Sequence, residues 1–151
     1  MKRGADGTSL PDQAVVLRMC YASRNANDLS MTSGSGALAA AFSEVFSLST
    51  ADKKQNPPHL SVYEISLTTP EQARELTGGD KDFALRLPVD SVRSLKNPKC
   101  PEYTLNVCWF QALILYKEEY VPDQRIGTDG HCGITGLMRP PGMPSPHWKW
   151  F

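Results

Sequence analysis

Apolar and polar residues alternate most cleanly over residues 83–89. Phe83, Leu85, Leu87 and Val89 share one side of an extended chain, and Ala84, Arg86 and Pro88 share the other. That period of two predicts a half-buried strand. Pro88 has no amide hydrogen for a ladder, so the strand lies at a sheet edge or stops there. Residues 60–66 predict a second strand. Ser61, Tyr63 and Ile65 fall on one face and Leu60, Val62, Glu64 and Ser66 on the other, so polar members look toward water or a cleft. Residues 14–22, AVVLRMCYA, are apolar and partly β-branched and predict a third strand. In residues 36–48, Ala37, Leu38, Ala41, Phe42, Val45 and Phe46 recur at spacings of three and four, which predicts an amphipathic helix. The most apolar run is 104–116, TLNVCWFQALILY. It fits a long bent strand or, from Gln111 on, a helix, and periodicity leaves the choice open. In either form Trp109, Phe110, Leu113 and Leu115 are core candidates.

Turn and cap residues divide these segments. Thr69 offers a hydroxyl to a helix start, Pro70 sits at the first helical position, and Gln72 completes a capping box. Gly78 and Gly79 stop that helix. Residues 23–35 and 49–59 are loops by composition. Residues 90–95 suit one helical turn capped by Asp90, 96–101 a turn, 121–130 a loop, and 131–137 a closing strand. Residues 1–13 are polar and are expected to be poorly ordered. Residues 138–151 form a proline-rich arm with an aromatic end. The fold these elements predict is α+β. It is one compact domain over 14–137, with a mostly antiparallel sheet of four or five strands and two or three helices.

Length and charge narrow the classes. At 151 residues the chain suits one core. Sixteen basic and sixteen acidic side chains cancel, which removes the electrostatic case for nucleic acid or an anionic membrane as partner. No run of apolar residues is long enough to cross a bilayer, and the N-terminus has no apolar stretch of the kind a signal peptide carries. A cytoplasmic setting is the expectation. Cys20, Cys100, Cys108 and Cys132 contain no C-x-x-C pair and are expected to be reduced, serving as small packing residues.

Candidate chemistry is sparse. Arg18, inside an apolar strand, is either a snorkelling side chain or a ligand for an anion. Ser61 and Tyr63 would line the cleft beside it. His131 and Cys132 are adjacent, so in a strand they point to opposite faces and cannot pair as base and nucleophile. His131 remains available as acid or base, with Asp123, Asp129, Glu118 and Glu119 as nearby carboxylates. His59, His131 and His147 lie in different segments with no metal-ligand spacing, so neither a metal nor a cofactor is expected. Serines and glycines ahead of residue 36 lack the lysine of a phosphate loop. A P-x-x-P spacing occurs at 141–144, and Trp148, Trp150 and Phe151 end the chain. Large aromatics at such a place are candidates for contact with another protein or a second copy.

The pieces Leu17-Arg18, 60–63, 69–73, 87–93 and 131–136 resemble a pattern in a family of small uncharacterised bacterial proteins with an LSVY…TPEQA core. Here more chain separates Arg93 from His131 than in that pattern. The resemblance implies a bacterial or phage source and a compact α+β fold, and it implies no known reaction. Two functions follow as expectations. The first is a non-catalytic binding or accessory protein of a bacterial or phage cytoplasm, meeting its partner through Trp148, Trp150 and Phe151. The alternative is a small enzyme acting on a nucleotide or other phosphorylated ligand, with Arg18 as anion ligand, Ser61 and Tyr63 lining the site, and His131 as acid or base.

Overall fold

A computed structural model describes residues 1–20, 29–31, 38–41, 46, 48–81, 83–96 and 102–138. Its centre is a five-stranded antiparallel sheet, so the fold is α+β as expected. The sheet strands are β1 (Val15–Cys20), β4 (His59–Glu64), β5 (Phe83–Pro88), β6 (Asn106–Trp109) and β9 (His131–Thr135), in the order β5-β1-β4-β9-β6. Strand β5 is at an edge and ends on Pro88, which has no donor to continue the ladder. Strand β9, expected merely to close the sheet, runs between β4 and β6.

One sheet face carries the main core. Leu60 and Val62 face Ile134 and Cys132, which face Val107 and Trp109. Against them pack Leu10 and α3 (Val89–Ser94), through Val89 and Val92. Asp90 lies within the first turn of α3 and does not cap it. Pro88 holds the cap position with no side-chain bond. The opposite face is roofed by α2 (Pro70–Leu76), whose Ala73 packs on Met19 and Tyr63. This helix starts as its residues dictate. Thr69 accepts from the Gln72 amide, and Gln72 accepts from that of Thr69.

Several expectations fail for identifiable reasons. Residues 1–13 are not loose. Gly7 and Leu10 donate to the carbonyls of Trp109 and Val107, and Thr8 accepts from Trp109, so this arm covers the outer edge of β6. Arg93 locks it by donating to Leu10 O at 2.5 Å, Asp12 at 2.6 Å and Asn106 at 2.8 Å. A polar segment can be ordered by satisfying a sheet edge, which composition does not reveal. The helix expected over 36–48 is replaced, among the described residues, by β3 (Leu38–Ala41). That strand pairs with β2 (Leu29–Met31), which lies in an expected loop. Backbone pairing overrides the three-and-four spacing there, as long-range contacts override local preference elsewhere. The supposed loop 49–59 holds α1 (Thr50–Lys54), started by a Ser49–Asp52 capping box.

The run 104–116 divides. Residues 110–112 follow β6, and the chain then enters β7 (Leu113–Tyr116), which among the described residues pairs only with β8 (Glu119–Pro122), in a separate two-stranded sheet. Trp109 and Phe110 are buried as expected. Leu113 and Leu115 are exposed and do not belong to the core, because β7 has left the main sheet. No helix among the described residues is long and apolar enough to cross a membrane. Cys20, Cys108 and Cys132 are buried cysteines, and Cys100 lies outside the described residues.

Candidate functional site

The pairing of β4 with β9 sets Tyr63 opposite His131 and Ser61 opposite Gly133. Three of the four residues singled out for a ligand site therefore share one patch of the sheet. His131 Nδ1 lies 2.7 Å from the Phe110 carbonyl and Nε2 lies 3.2 Å from Ser61 Oγ. A carbonyl only accepts, so Nδ1 carries the hydrogen, and Nε2 accepts from the Ser61 hydroxyl. Both ring nitrogens are satisfied by a neutral imidazole. His131 is 5% exposed, and burial pushes its pKa down to about 4.

His59 belongs to the same cluster, although sequence alone left it as one of three scattered histidines. Its ring stacks on Phe110 at 4.2 Å between centroids and meets His131 edge-on at 5.9 Å. Its Nδ1 bonds the Pro57 carbonyl at 2.8 Å, and burial lowers its pKa. Tyr63 meets His131 edge-on at 5.6 Å and is 6% exposed. Burial and then the Asp123 carboxylate push its phenol up to about 12. Gly133 makes this possible, because a Cβ there would overlap the His59 ring. On the other side of β9, burial pushes the Cys132 thiol up, so it is no nucleophile at neutral pH.

Arg18 donates to the Ser61 carbonyl at 3.2 Å, so its guanidinium lies on the backbone of the same strand. Asp123 is buried and grips Arg125 through both carboxylate oxygens, with the shortest contact at 2.7 Å. That bond holds its carboxyl below the usual range. Asp129, Glu118 and Glu119 are exposed. The described residues hold no group of three or more His, Cys, Asp or Glu able to bind a metal. The Ser61–His131 contact is the hydroxyl–imidazole pair that nucleophilic catalysis needs, but its imidazole is buried while Ser61 is half-buried. A cavity of about 360 Å³ lies on the opposite face, lined by Leu85, Leu87, Leu95, Leu105 and Leu137 among others.

The β7–β8 hairpin has the opposite character. Leu113, Ile114, Leu115 and Tyr116 are between 37% and 60% exposed, and Tyr120 across the ladder is 46% exposed. Leu113 and Leu115 lie on one face with Tyr120, and Ile114 and Tyr116 on the other with Val121, so both faces are apolar. Lys117 and Glu118 form the turn with φ of 48° and 66°, the left-handed pair of a type I′ turn. The root is fixed by buried Ala112 and Asp123, whose amide donates to the Ala112 carbonyl at 2.8 Å. Arg125 ties that root to the C-terminus of α2 through Leu76 O. Sequence reading missed this surface because Lys-Glu is not a common turn pair and LILY reads as core. The polar break at 117–119 was the available signal.

Trp148, Trp150 and Phe151 lie outside the described residues, as does His147. No family model matches this chain, no curated protein matches it, and no solved structure matches it.

Proposed function

We propose that this chain is a non-catalytic binding protein that meets its partner through the β7–β8 hairpin. The observation that carries the reading is a two-stranded ribbon with large apolar side chains in water on both faces. An isolated hairpin is marginal by itself, and patches of this kind mark interaction surfaces. The C-terminal aromatics are a second contact in this reading. The resemblance to small bacterial proteins supports a bacterial or phage cytoplasm as the setting.

The test compares the tagged full chain with Leu115→Lys and with His131→Asn after chemical cross-linking in a bacterial lysate. Proteins linked to the chain, its own copies included, should be lost with Leu115→Lys and kept with His131→Asn. The reverse pattern would move the function to the β4–β9 patch.

That reverse pattern belongs to the second reading, an enzyme acting on a phosphorylated ligand with Arg18 as anion ligand. The 3.2 Å contact between Ser61 and His131 favours it. Burial of His131 weighs against it, since both of its nitrogens already have partners and a substrate would have to displace them.

A further inference from the structure

Resting on the hairpin reading, we infer that the partner is a second copy of this chain, joined edge to edge along β7. The ladder determines which groups are free. In a two-residue hairpin the pair flanking the turn, Tyr116 and Glu119, exchanges both backbone bonds, and every second pair does so after it. Ile114 with Val121 is therefore bonded, and so is Ala112 with Asp123, as the 2.8 Å bond at that pair shows. The N–H and C=O groups of Leu113 and Leu115 point away from β8. Among the described strands β7 has β8 as its one ladder partner, so these groups meet no second strand.

The two outer edges differ. On β8 the outward positions are Tyr120 and Pro122, and Pro122 has no N–H to offer. Glu119 adds a charge to the same strand. Strand β7 has neither device: its four residues are uncharged, apolar or aromatic, and free of proline. It is the undefended edge.

A second copy suits that edge for three reasons. First, antiparallel pairing about a two-fold axis at Ile114 sets Leu113 opposite Leu115 of the other copy. Their outward groups then bond in both directions with no other sequence required. Second, the same register sets Leu113 beside Leu115 of the other copy on one face and Ile114 beside its own counterpart on the other, so the exposed apolar side chains of β7 gain apolar cross-strand neighbours. The joined hairpins also exceed the three strands that independent stability needs. Third, the chain has a formal net charge of zero, so two copies approach without net repulsion.

Light scattering on the full chain at rising concentration tests this. A mass approaching twice 16.7 kDa is expected, returning to 16.7 kDa on dilution. Exchange of the Leu113 and Leu115 amides should slow with concentration, while other exposed amides stay unchanged. Leu115→Pro removes one outward donor without touching a bond of the hairpin, so it should hold the protein at the single-chain mass. Leu115→Lys should do the same through charge, which guards against a misfolded proline variant. A single-chain mass at every concentration overturns the inference. If hairpin-dependent cross-links to other proteins persist in that case, the binding reading stands with a different partner. If they are absent too, both fail. A dimer that survives Leu115→Pro and Leu115→Lys overturns the inference by placing the interface elsewhere.

Discussion

Between β4 and β9 two imidazoles and a phenol lie in the interior, while in the β7–β8 hairpin leucine, isoleucine and tyrosine stand in water. Each region reverses the common placement of its residue types, and the difference between them is in their partners. In the buried patch each imidazole finds an acceptor: His59 at Pro57 O, His131 at Phe110 O, with Ser61 donating to the remaining nitrogen of His131. Satisfied polar groups can stay inside at small net cost. On the hairpin the apolar side chains have no such cover within the described chain. A buried imidazole with both nitrogens bonded, as His131 has, is complete and is poor evidence for chemistry. An uncovered apolar ribbon is incomplete and is evidence for a partner.

The largest expected effect probes the completeness of the patch through pH. His131 has a folded pKa of about 4 against an ordinary 6.5, and His59 is shifted in the same direction. Between those values the unfolded chain binds more protons than the folded one. Stability is therefore full above pH 6.5 and falls as the pH drops toward 4, by about 3 kcal/mol for His131. Urea unfolding across that window should show the decline, and the imidazole proton resonance of His131 should titrate near the lower value. A midpoint near 6.5 would mean the ring is open to water and the patch is a site after all.

Next in size is Gly133→Ala. The added methyl would overlap the His59 ring, so a loss of roughly 2 kcal/mol is expected in a denaturant melt. An unchanged melt would show that the His59–Phe110 stack can shift, making the patch less rigid than described.

Thr69→Ala acts on the roof of the patch. Losing the oxygen that accepts from the Gln72 amide should cost roughly 1 kcal/mol. The shift in urea midpoint measures it, and no shift would mean that α2 does not depend on its cap. The smallest effect is expected on the hairpin: Leu115→Ser in dilute protein should change stability by about 0.5 kcal/mol or less, since an exposed side chain loses little. A large loss there would show that Leu115 is covered within its own chain, which would erase the contrast between the two regions.

Local chemistry was legible where it acts within a few residues. Thr69, Pro70, Gln72, Gly78 and Gly79 specify the start and stop of α2, and alternation over 83–88 specifies β5 with its proline end. Of the candidate site, the residue types Ser61, Tyr63 and His131 could be nominated, but their contact depends on which register β4 and β9 adopt. His59 and Gly133 join them only through that register, and nothing local to either residue announces it.

Sequence alone therefore determined what short-range sterics and hydrogen bonding decide: the capped helix, the alternating strands, the α+β class and the zero net charge. The tertiary structure decided where each apolar or polar segment ended up. Residues 106–109 and 113–116 belong to one apolar run, yet the first is buried between β9 and the N-terminal arm and the second projects into water. A strand's pattern records that it has apolar side chains to cover. Which surface covers them depends on pairings between residues far apart in the chain.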